Sequence, residues 1–133
     1  MKKNNEVKES KYWWEETIDF NTAWKDNTWP EFDKQIREMN KLLKKQSAKL
    51  IVVIFPIGSQ INYDSEAPDF DYIVKPQGKV TYYCNKHNIP VLDLFTYFQE
   101  HNNLSLYEDG LHLSSYGHSL SGEIIEEFIL ENL

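Results

Sequence analysis

Leu50-Ile51-Val52-Val53-Ile54-Phe55 decides the fold. Six consecutive apolar residues, closed by Pro56 and Gly58, read as a strand buried on both faces, of the kind found in parallel sheets under helices. Ile89-Pro90-Val91-Leu92-Asp93-Leu94-Phe95 reads as a second strand, with Pro90 near its start, where a ladder donor can be spared. Between them, residues 76–88 read as a helix with Val80, Tyr83, Cys84 and His87 on one side, after a long loop over 56–74. Upstream, Pro30 sits where a helix begins, because its missing N–H is not needed in the first turn. Phe32, Ile36, Met39 and Leu43 then mark one apolar face of a helix over 30–47, opposite Lys34, Arg37, Lys41, Lys44 and Lys45. Downstream come a short helical stretch at 95–101, an irregular loop at 103–114 and a last helix at 115–131, with Leu120, Ile124 and Phe128 in register. A short helix is expected at 12–24. The alternation is that of an α/β domain with a right-handed crossover, whose chemistry gathers where the strands end, after Phe55 and after Phe95.

The bulk properties agree with one such domain. The chain has 133 residues and a mass of 15.8 kDa, with 41% hydrophobic and 26% charged residues. A net charge of −7 argues against a nucleic-acid partner. The charge is uneven: residues 1–50 carry 11 Lys/Arg and 9 Asp/Glu, and residues 51–133 carry 3 and 12. The plain reading is a solvated surface, with a cationic partner as the alternative. One cysteine, Cys84, allows no internal disulfide and no multi-cysteine metal site, and reads as a small buried hydrophobe. Residues 1–11 are polar with no apolar stretch behind them, and no apolar run reaches membrane-helix length, so the chain as given reads as cytoplasmic while its native compartment stays open. Trp13, Trp14, Trp24 and Trp29 mark residues 1–29 as an aromatic-rich segment that packs on the sheet or on further structure, or offers a stacking surface for a sugar or acyl group.

Chemistry concentrates in Glu108-Asp109-Gly110-Leu111-His112-Leu113-Ser114-Ser115-Tyr116-Gly117-His118. Asp109 and His112 stand three apart across a glycine. In a turn the carboxylate reaches the Nδ1–H of the imidazole, fixes its tautomer and leaves Nε2 as a base. The following helix N-terminus disfavours imidazolium and Asp109 opposes that effect. Ser114 and Ser115 read as caps of that helix. Residues 30–131 resemble the C-terminal part of the SGNH (GDSL-type) hydrolases. The resemblance rests on Ile89-Pro90-Val91-Leu92-Asp93-Leu94, on Leu106-Tyr107-Glu108-Asp109-Gly110-Leu111-His112-Leu113 and on Tyr116-Gly117-His118 before an amphipathic helix. The strand 50–55 with Pro56 is similar to that family's fourth strand. The resemblance implies a three-layer α/β/α, flavodoxin-like parallel sheet and a serine ester hydrolase with Asp109 as orienter and His112 as general base. It also implies that Gly117 allows close packing, that His118 packs without a catalytic role, and that the substrate is a small acyl ester of a carbohydrate or lipid, with no cofactor.

The family's nucleophile sits in a Gly-Asp-Ser block and its oxyanion hole uses a glycine and an asparagine from two further blocks. The chain has no glycine before Gly58, so neither a Gly-Asp-Ser nor a Gly-x-Asn-Asp block precedes the first strand. Ser59, in Gly58-Ser59-Gln60, lies on the functional rim and is a weak stand-in, since a loop rather than a helix is expected to follow it. Asp109, His112 and His118 are conceivable metal ligands, but the helix start between the two histidines works against convergence of three groups, and a metal is not expected. No glycine-rich loop follows either strand, which leaves little for a nucleotide. Two strands make a thin sheet, and the first reads as central. The domain is therefore expected to be partial, lacking N-terminal strands, with its apolar faces covered by the aromatic segment, a missing half or a partner chain. The competing expectation is a non-catalytic remnant or interaction module.

Overall fold

A computed structural model describes residues 11–102 and 105–133. The protein is α/β, mostly helical, with one two-stranded parallel sheet. Strand β1 is Val52–Ile54 and β2 is Val91–Asp93, paired Val52 to Val91, Val53 to Leu92 and Ile54 to Asp93. Helix α1 is Ile18–Asn21 and α2 is Trp29–Lys45, with Pro30 in its first turn. Helices α3 (Gly58–Ile61) and α4 (Phe70–Ile73) follow β1, and α5 (Lys75–Lys86) leads into β2. Helix α6 is Phe95–Glu100 and α7 is Ser115–Asn132.

Side chains alternate across the strands, as a pleat requires. Val52 and Val91 pack with Ile36 of α2 and Cys84 of α5, together with Ile89. Val53 and Leu92 face the largest cluster, with Phe95 and Phe98 of α6, Leu106, and Leu120, Ile124 and Phe128 of α7. Helices thus cover both faces of the pair. The strand expected over 50–55 is shorter than its apolar run and is half-buried, and Phe55 is 46% exposed. An apolar run reports burial preference, whereas a strand lasts only as long as a neighbour accepts its hydrogen bonds. Among the described residues β1 pairs on one edge only.

Three other expectations change. The helix expected over 12–24 is a chain of short turns: single 3₁₀ turns at Trp13–Glu15 and Thr22–Trp24 flank α1, and a third follows at Asp26–Thr28. Local polar side chains compete with the helix ladder here: Thr17 donates to the Trp13 carbonyl, Asn21 to that of Glu15 and Thr28 to that of Thr22. The indoles pack away from the sheet. Trp14 and Trp24 stack on each other and join Tyr12 and Ile73, while Trp29 meets Phe32 and Tyr83. The loop expected over 56–74 holds α3 and α4. Of the loop expected over 103–114, residues 103–104 lie outside the described residues, and the rest closes through an antiparallel bridge between Tyr107 and Leu113.

A buried amide pair stands behind the end of β1. Gln60 and Gln77 exchange hydrogen bonds at 2.9 and 3.1 Å, Gln60 also donates to the Ile73 carbonyl at 2.7 Å, and its oxygen accepts the Ile57 N–H at 3.0 Å. Every polar atom of the Gln60 amide is engaged, as burial demands. Cys84 is fully buried and free, and desolvation pushes its thiol above the ordinary value.

Candidate active site

The loop that carries Asp109 and His112 is built from its own backbone. Glu108 N–H donates to the His112 carbonyl at 2.8 Å and Ser114 N–H to the Leu106 carbonyl at 2.9 Å. Gly110 turns the chain at φ +85°, a conformation that side chains resist. The Asp109 Oδ1 accepts the N–H groups of Leu111 (3.0 Å) and His112 (2.7 Å), and its Oδ2 lies 2.6 Å from His112 Nδ1. The aspartate therefore closes the turn with one oxygen and orients the ring with the other. Ser114 caps α7 by accepting the Gly117 N–H at 3.1 Å, whereas Ser115 is the first residue of the helix itself.

Two close approaches hold this loop on the rim of the sheet. Gly58, just past β1, donates its N–H to the Gly110 carbonyl at 2.7 Å, and a Cβ at Gly58 would lie 2.9 Å from that oxygen. At Gly117 a Cβ would fall 2.2 Å from the Leu106 carbonyl oxygen, so only glycine lets α7 start against the loop. The Tyr107 hydroxyl donates to the Pro56 carbonyl.

Charge in the pair follows from these contacts. The His112 and Leu111 donors hold the Asp109 carboxyl down at about 2. The adjacent carboxylate raises His112 above its ordinary value, against a smaller opposing effect of desolvation. Both groups are open to solvent, His112 at 78% and Asp109 at 56% of the side chain. The Nε2 of His112 has no protein hydrogen-bond partner among the described residues. That atom can accept a proton from a group brought to it.

Ser59 and His112 line different cavities. His112 borders an apolar one of about 510 Å³ with Phe55, Leu111, Leu113, His118 and Ile125. Ser59 borders a polar one of about 340 Å³ with Asn62, Asn102, Tyr107 and Gly110. The Ser59 Oγ accepts from Trp13 Nε1 at 3.2 Å. Asn102 donates to Asn62 at 2.9 Å across the same cavity. Sequence reasoning did not find these asparagines, because 40 positions separate them and neither sits in a motif. His118 shares the His112 cavity. Among the described residues no three His, Cys, Asp or Glu side chains are placed to hold a metal ion, and no helix is long and apolar enough to cross a membrane. No protein-family model, no curated protein and no solved structure matches this chain.

Proposed function

We propose that the chain carries the orienter–base half of a serine ester hydrolase of the SGNH type. The observation that supports this best is the Asp109–His112 pair: Nδ1 is engaged at 2.6 Å, Nε2 is open, and the carboxylate is held ionised by two backbone donors. In this reading the nucleophile is a serine supplied by polypeptide that pairs the open edge of β1 and extends the sheet into the three-layer, flavodoxin-like form. That serine's Oγ attacks the ester carbonyl carbon while His112 Nε2 takes its proton. His112 returns the proton to the leaving alcohol. It then deprotonates a water that hydrolyses the acyl-enzyme, releasing the acid and restoring the serine. The apolar cavity beside His112, walled by Phe55, Leu111, Leu113 and Ile125, suits the acyl part of a small ester of a carbohydrate or lipid.

The test is ester hydrolysis by the chain in its native assembly. His112→Ala should abolish it. Activity that survives the change assigns the base elsewhere.

The second reading is a non-catalytic module. The bond from Trp13 to the Ser59 hydroxyl favours it, since it places Ser59 against an indole rather than the imidazole. Under this reading the native assembly turns over no ester and no serine in it reacts with a fluorophosphonate.

A further inference from the structure

On the side of the molecule formed by α2 and α5, away from the Asp109–His112 loop, lies a groove of about 570 Å³. Arg37, Lys41, Lys44 and Lys45 of α2 line one wall, and Lys86 and His87 line the other. No carboxylate lines it. In a chain of net charge −7 this concentrates cations in one concave place.

The walls are fixed. Ile36, Cys84 and Ile89 are buried between them. Asn40, itself buried, donates across the groove floor to the His87 carbonyl at 3.3 Å. Asp33, on α2 one turn before Arg37, reaches across to the other wall and holds His87 at 2.6 Å and Lys86 at 2.9 Å. This neutralises part of the α5 wall. Among the described residues Arg37, Lys41, Lys44 and Lys45 enter no ion pair.

Lysines near a helix C-terminus can serve only to oppose the helix dipole. Here backbone donors already cap both ends: Ala48 N–H reaches the Leu43 carbonyl and Ile89 N–H the Cys84 carbonyl, each at 2.9 Å. Ser47 (φ 57°) and Asn88 (φ 54°) take the left-handed conformation that closes such caps. The four unpaired cations therefore exceed what capping needs.

We infer that this groove binds a small oligophosphate. Charge density selects the class: a ligand that fits about 570 Å³ and matches four uncompensated cations must carry several negative charges in few atoms, which linked phosphates do. The Arg37 fork suits phosphate oxygens bidentately and the lysines act as point charges around it.

Inorganic tripolyphosphate is the probe, titrated into the full chain by calorimetry or amide NMR. The inference expects saturable binding that weakens as salt rises, with shifts confined to residues around Arg37–Gln46 and Lys86–Asn88. Lys41→Glu/Lys44→Glu should weaken it by roughly tenfold or more. Lys25→Glu/Lys79→Glu makes the same change in net charge outside the groove and should leave the affinity within about twofold. Lys41→Gln/Lys44→Gln, a milder change with folding checked by circular dichroism, should give an intermediate loss. Non-saturable binding, or equal losses in the groove and control variants, overturns the inference. So does tighter binding, per phosphate, to a single-stranded oligonucleotide or to phosphatidylserine vesicles than to tripolyphosphate.

Discussion

At the residue scale the Asp109–His112 pair makes the clearest prediction. Its effect on His112 is upward, so the imidazole should titrate above 6.5 by NMR and fall back toward that value in Asp109→Asn. The sign for stability follows. The His112 contribution is complete below 6.5 and is lost as pH rises through the raised folded value. The Asp109 contribution is complete above 3.8 and is lost as pH falls toward about 2. A titration that is unmoved by Asp109→Asn would separate the two residues in solution. The pair was legible in the sequence because its members are three residues apart and one turn joins them. The Trp13–Ser59 bond and the Asn62–Asn102 bond were not, because their partners meet only through the tertiary fold. The close approach at Gly117 was suggested only by the resemblance, because its partner, the Leu106 carbonyl, stands eleven positions away. Adding a methyl there puts a carbon 2.2 Å from a backbone oxygen that cannot move without α7. Gly117→Ala should destabilise the chain by about 3 kcal/mol in denaturant unfolding. A loss under about 0.5 kcal/mol would mean that α7 and the loop shift freely.

At the element scale the long helices and the six-residue α6 were readable, and the four-residue helices were not. Helix α2 announces itself by Pro30 and a four-three-four apolar spacing, and α7 by the Ser114 cap and its repeat of Leu120, Ile124 and Phe128. Helices α3 and α4 span four residues each, too few to show a period. They are placed instead by the Gln60–Gln77 amide pair, whose members are 17 residues apart and whose burial no local pattern reveals. Replacing Gln60 with Leu leaves the Gln77 amide, the Ile73 carbonyl and the Ile57 N–H unpaired in the interior. The expected cost is about 2 kcal/mol, measured as a lower denaturant midpoint with the slope unchanged. Gln60→Leu combined with Gln77→Leu should recover part of it, because removing both partners removes much of the unmet polar demand. Ser114→Ala tests the α7 start separately, at about 1 kcal/mol. A null effect there would show that the Gly117 N–H finds water instead.

At the scale of the whole molecule the sheet is the unusual feature. Two short parallel strands with helices on both faces leave one edge of β1 unpaired among the described residues, beside the exposed Phe55 and the apolar cavity that His112 borders. The α/β class was legible from the two apolar runs and the helices between them. The extent of the sheet was not, because hydrophobicity does not count neighbours. In the proposed function the open edge and the open imidazole are one unfinished site. Phe55→Lys, which puts a charge beside that edge, should then lower ester hydrolysis by the native assembly and lower recovery of any accompanying polypeptide, while circular dichroism of the chain alone is unchanged. Full recovery and full activity would place the completing surface elsewhere. The most direct measurement is fluorophosphonate labelling of the native assembly, wild type beside His112→Ala, with the labelled peptide identified by mass spectrometry. The proposed function predicts one labelled serine, lying outside residues 1–133, with labelling lost in His112→Ala. A label on Ser59, or labelling that is indifferent to His112, would contradict it.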